Sequence, residues 1–183
     1  MMPFCLLAQT ESPHLSFKGV PIDGTLDEYV QKMKQKGLAY LGTDNGIAIL
    51  TGEFASYKGC VIGVATLQQK DLVSKITVIF PYCETWTSLI NNYYSIKEML
   101  KEKYGEPAEV IEQFQGNTEP DDDLSKMRAV QSDSCTYVTT FVTGKGNIQV
   151  YISRNSAMRC CVLLSYFDKY NGGLIKTKAM EDL

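Results

Sequence analysis

Trp86, Leu89, Ile90, Tyr93, Ile96, Leu100 and Tyr104 recur at steps of three and four residues. They line one face of an α-helix, and that stripe must be buried. Gly105 and Pro107 follow where such a helix stops, so the spacing predicts a helix over 86–104. A second helix is predicted over 26–36. Thr25 and Glu28 form a capping box at its start, Leu26, Tyr29, Val30 and Met33 give its stripe, and Gly37 closes it. A short third one, 124–130, follows Pro120-Asp121-Asp122-Asp123.

Elsewhere the period shortens to two, the pattern of strands. Strands are predicted over 14–17, 38–41, 46–51, 57–67, 73–80, 108–114, 135–143, 147–153 and 157–167. Asn45-Gly46 is a hairpin signal, because both residues tolerate positive φ. Gly144-Lys145-Gly146 and Arg154-Asn155-Ser156 turn the later strands, and residues 19–24 read as a turn-rich connector. Gly59 and Gly63 suggest a bulge or a close approach in the strand 57–67. A last helix is expected over 174–180. Helix, meander, helix, short helix, meander is not a βαβ order. The expected fold class is α+β: antiparallel meander sheets with helices packed on one face, in two tandem helix-plus-sheet units.

The chain has 183 residues, 44% of them hydrophobic. That suits one core, read as a single α+β domain over 12–183. The net charge is -3, with no basic patch, which argues against a nucleic-acid partner. No apolar run approaches the ~20 residues of a membrane helix, so no transmembrane segment is expected.

Residues 1–11 stand apart. Met1 to Ala8 is apolar without Lys or Arg, and Gln9 to Pro13 is polar and turn-like. This matches the back half of a secretory signal, with Ala8 near the cleavage point. Export to the periplasm or beyond is the expectation; a buried N-terminal strand in a cytoplasmic protein is the alternative. Of the six cysteines, Cys5, Cys60, Cys83, Cys135, Cys160 and Cys161, no two form a C-x-x-C pair, which removes zinc ribbons and thioredoxin-like motifs. Most sit in apolar runs, as small buried hydrophobes do. A disulfide between Cys135 and Cys160 or Cys161 is the one pairing the sequence suggests, since all three fall in the second half's strands.

His14 is the only histidine. Any Ser-His or Cys-His nucleophile would have to use it, and sites built from several histidines are excluded. Its place beside Pro13 predicts a surface or edge-strand residue. Asp121-Asp122-Asp123 lacks the alternation of a calcium loop and reads as a helix start. Asp44-Asn45-Gly46 reads as a turn. Gly144-Lys145-Gly146-Asn147 lies between strands, so it is not a phosphate loop. Glu53, Glu84 and Glu109 each fall near strand ends, and nothing in the sequence pairs them as glycosidase carboxylates would pair. Tyr82, Trp86, Tyr93 and Tyr94 cluster around the 86–104 helix. Core packing is the expectation for Trp86 and Tyr93, while Tyr94 falls outside the stripe and is expected to be exposed.

Two segments, Phe17 to Thr25 leading into a helix and Lys103-Tyr104-Gly105-Glu106-Pro107 ending one, resemble small exported proteins of unknown function from Bacteroides-type bacteria. The leader ending Leu6-Leu7-Ala8-Gln9 is similar to signals in that group. The helix-then-meander order also resembles beta-lactamase-inhibitor-protein-like folds, whose tandem units pack helices on an antiparallel sheet. These resemblances imply an envelope protein that binds or scaffolds something, and bring no catalytic residue with them.

The sequence thus leads to a non-enzymatic exported binding or interaction module with an unknown protein or small-molecule partner. No catalytic, cofactor-binding or metal residues are assigned, and no cofactor is expected. The alternatives are a carboxylate-based hydrolase with a histidine-free site and a structural homodimer joined through exposed strand edges.

Overall fold

Period-two patterning recurs along the chain because the strands lie in one sheet with a buried face. The computed structural model describes residues 12–67 and 70–174. Strands β1 (Ser16–Phe17) and β2 (Val20–Pro21) form a small hairpin, so part of the expected connector is strand. Helix α1 (Leu26–Gln35) carries the predicted capping box, with Thr25 and Glu28 each satisfying the other's backbone. A meander follows: β3 (Ala39–Asp44), β4 (Ile47–Phe54), β5 (Tyr57–Leu67) and β6 (Lys70–Ile79). Helix α2 (Trp86–Tyr104) then leads to β7 (Glu109–Phe114) and helix α3 (Asp123–Gln131). Strands β8 (Cys135–Thr143), β9 (Gly146–Arg154) and β10 (Cys160–Asp168) complete the sheet.

The eight strands order as β3-β4-β5-β6-β10-β9-β8-β7. All neighbours are antiparallel. Each half contributes one four-stranded meander, and the last strands of the two meanders pair at the centre. The α+β class, the antiparallel sheet and the helices on one face are as the hydrophobic pattern predicts.

One buried cluster runs through both halves. It joins Tyr29 and Met33 of α1, Leu89, Tyr93 and Ile96 of α2, and Met127 and Val130 of α3 to alternate residues of the strands, such as Leu50, Ile62, Val78, Leu164 and Val150. The stripe of α2 lies in it: Trp86 packs against Phe114 and Tyr137, with ring centroids 5.4 Å from each. Tyr93 donates to Glu112 at 3.2 Å and shares a 2.6 Å hydrogen bond with Thr139, while Lys97 reaches Glu112 at 2.6 Å. Ile90 and Tyr104 flank the cluster, half-buried.

Turn chemistry explains most strand ends. Asn45 and Gly46 have φ of 48° and 77°, the two-residue hairpin that Asn-Gly favours. The β4–β5 turn uses Ala55 and Ser56, also at positive φ, and neither residue signals that conformation, so the sequence ends β4 too early. The last strand begins at Cys160 rather than 157, because Asn155 Oδ1 accepts from the backbone N–H groups of Ala157 and Arg159 and holds a tight loop there. Residues 1–11, where the secretory remnant is expected, and most of the expected helix 174–180 lie outside the described residues.

Candidate functional site

Among the described residues, the helices pack against one face of the sheet. On the other face, cross-strand register places side chains in straight rows. One row reads Thr51, Val61, Ile79, Leu163, Tyr151, Val138 and Ile111, from β4 across to β7. Every member is half-buried, and none belongs to the buried cluster. At ~4.8 Å per strand the row spans about 29 Å. It is uncharged and, apart from Thr51 and the hydroxyl of Tyr151, apolar.

The adjoining row is polar: Gly63, Thr77, Ser165, Gln149 and Thr140. Thr77 and Ser165 share a hydrogen bond of 3.1 Å, and Gln149 donates to Thr140 at 3.2 Å. Tyr151 joins the two rows through a 3.4 Å hydrogen bond with Ser165. The third row holds Ile47, Ala65, Lys75, Phe167, Asn147 and Val142. Its Lys75 ammonium sits 4.9 Å from the centre of the Phe167 ring, which satisfies that charge in part on an aromatic face. The face is an apolar band bordered by small polar groups, with little charge at its middle.

A second feature lies at the end of the helical layer. A cavity of about 460 Å³ opens between the start of α2, helix α3 and the β9–β10 loop. Cys83, Cys160, Met127 and Met158 bring four sulfurs to its wall, and Glu84, Asp123 and Arg159 bring charge. Asp123 accepts from the backbone N–H of Thr87 at 3.3 Å and from its hydroxyl at 2.9 Å. It therefore satisfies a first-turn N–H of α2, whose cap is Thr85, while Asp122, accepting from Ser125 N–H at 2.9 Å, caps α3. The predicted helix-start reading of the Asp121-Asp122-Asp123 run holds, and the run also ties two helices together. Arg159 stacks 4.0 Å from the Tyr82 ring centre, and Asn155 donates to the Tyr82 hydroxyl at 3.1 Å.

Several expectations change. His14 is not a surface residue: it is 6% exposed. Its Nδ1 lies 3.0 Å from Asp168, which also accepts from Leu15 N–H at 2.8 Å and Asn171 N–H at 2.9 Å. Asp23 lies 3.6 Å from His14 Nε2. The network fastens the N-terminal hairpin to the end of β10, a long-range pairing that the local sequence does not reveal. The Cys135 pairings are also overturned, for the five described cysteines are free thiols. Cys135 on β8 and Cys160 on β10 have β9 between them, so their backbones stand roughly 9–10 Å apart, beyond disulfide reach. Cys161 points to the opposite face from Cys160. Glu53, Glu84 and Glu109 sit apart, at the end of β4, at the cavity and on β7. Tyr94 is exposed as predicted, and Gly144-Lys145-Gly146 is a hairpin turn held by Thr143 Oγ1. Among the described residues no three His, Cys, Asp or Glu side chains gather as a metal site, and no helix is long and apolar enough to cross a membrane.

No protein-family model, curated protein or solved structure matches the chain.

Proposed function

We propose that the chain is a non-enzymatic, exported binding module that receives a partner protein on the open face of its sheet. The half-buried row from Thr51 to Ile111 carries this reading. A continuous apolar band with a central tyrosine, bordered by polar groups and depleted of charge, is the composition of the core of a protein interface. The leader-like pattern of residues 1–11 supports export. The hydrolase alternative is weaker, because Glu53, Glu84 and Glu109 do not converge. The edge-paired homodimer is weaker too: the edge strand β3 is bulged between Tyr40 and Gly42, and bulges blunt strand edges against pairing.

A photo-crosslinking amino acid placed at Tyr151 tests the surface, with one at Met99, exposed on α2, as the control. In the cells that make the protein, Tyr151 should yield a discrete crosslinked partner and Met99 none. Equal crosslinking from both positions, or none from Tyr151, would remove the open face as the binding surface.

A further inference from the structure

Cys83 lies outside the named strands, yet it forms an isolated antiparallel bridge with Cys160, and its N–H donates to the Cys160 carbonyl at 2.9 Å. Directly opposed residues joined by such a hydrogen bond have Cα atoms roughly 5.5 Å apart, with both Cβ atoms on the same side. That separation falls inside the window a disulfide accepts, about 4.4–6.8 Å. Both cysteines line the 460 Å³ cavity, which gives a small oxidant a path to them. No other described cysteine is so placed: Cys135 is two strands from Cys160, Cys161 faces the other side of the sheet, and Cys60 lies on β5.

We propose that Cys83 and Cys160 are a dithiol pair that closes to a disulfide across this bridge. With a small-molecule disulfide such as oxidised glutathione as the oxidant, the Cys83 thiolate attacks one glutathione sulfur and a glutathione thiolate leaves. The Cys160 thiolate then attacks Cys83 sulfur in the mixed disulfide, and the second glutathione leaves. The two cysteines lose two electrons, the oxidant gains them, and the two thiol protons end on the two reduced glutathiones. Cys83 is the first nucleophile for two reasons. It is the less buried of the pair, and Asn92 Nδ2 donates to its sulfur at 3.3 Å, a contact that favours the thiolate. The closed bond would fix residues 81–84, which lead into α2, against the first residue of β10, and so set the mouth of the cavity. An oxidising compartment would hold it closed.

Burial pushes both thiols above their ordinary value. The thiolate is the reacting form, so closure should accelerate about tenfold per pH unit from neutral pH upward. The test uses the reduced full-length chain, folded, incubated with oxidised glutathione across a pH series and mapped by mass spectrometry without reduction. The expected product is one crosslinked peptide pair, Cys83 with Cys160, having lost two hydrogens, with Cys60, Cys135 and Cys161 still alkylated as thiols. Cys135→Ser should leave that product in place, and Cys160→Ser should stop the reaction at a Cys83–glutathione adduct. The proposal is overturned if the native protein gives only glutathione adducts, or links Cys83 or Cys160 to Cys5, Cys60, Cys135 or Cys161 instead.

Discussion

Two tyrosines on different helices separate packing from hydrogen bonding. Tyr29 is fully buried, and its hydroxyl finds no hydrogen-bond partner among the described residues. An unpaired buried hydroxyl is a desolvation cost with no return. Tyr29→Phe is therefore expected to leave the melting temperature unchanged or raise it. Tyr93→Phe should lower stability by about 1–3 kcal/mol, because its hydroxyl pairs with Thr139 and Glu112. Parallel urea melts of the two variants decide this, and equal losses would mean that the two hydroxyls contribute alike, which overturns the contrast between them. Gly146 shows a steric limit. Its φ is +152°, and a Cβ there would run into the Phe167 carbonyl and the Leu15 side chain. Gly146→Ala should cost about 3 kcal/mol, read from the same melts.

At the scale of elements, the helices were legible and the reason is local. The stripe of α2, its Thr85 cap and its Gly105 stop all lie within one segment, so 86–104 is read without knowing what covers it. Leu100 lies in the buried cluster, and Leu100→Ala should cost about 2–5 kcal/mol; a change within error in chemical denaturation would place the stripe on the wrong side. Helix α3 depends on its acids. The Ser125 backbone N–H and hydroxyl hold the Asp122 carboxyl below its ordinary value of 3.8. A depressed carboxyl contributes stability above the ordinary value, and that contribution drains away as pH falls through the lower folded value. Asp122→Asn keeps the cap without the charge, so its melting temperature should fall less on acidification than the parent's, as a pH series of thermal melts would show. The turn at Ala55-Ser56 was illegible for the opposite reason: the positive φ is imposed by the pairing of β4 with β5, and neither side chain announces it.

The same distinction governs the whole molecule. The alternation within each strand says which residues share a face, but the rows across the sheet need register between distant strands. Thr77 and Ser165 meet although 88 residues separate them, and no local signal reports that meeting. The band from Thr51 to Ile111 is consequently invisible in sequence, although each member is plainly a strand residue. The Cys83–Cys160 bridge and the His14–Asp168 pair were missed for the same reason. What could be read was the recurrence of helix and meander, and the two meanders do meet at β6 and β10.

That central seam has a consequence for synthesis. The strand that covers the inner edge of β6 is the last of the eight to leave the ribosome. Until it emerges, the first meander presents Val73, Ile76 and Val78 beside a row of unpaired backbone groups, a template for pairing with another nascent chain. A chain stopped at residue 159 should collect in the insoluble fraction, and a separately supplied β10 peptide should return part of it to solution. The centre of the sheet is thus the last part to be built, and the nascent chain needs protection there for as long as β10 is missing.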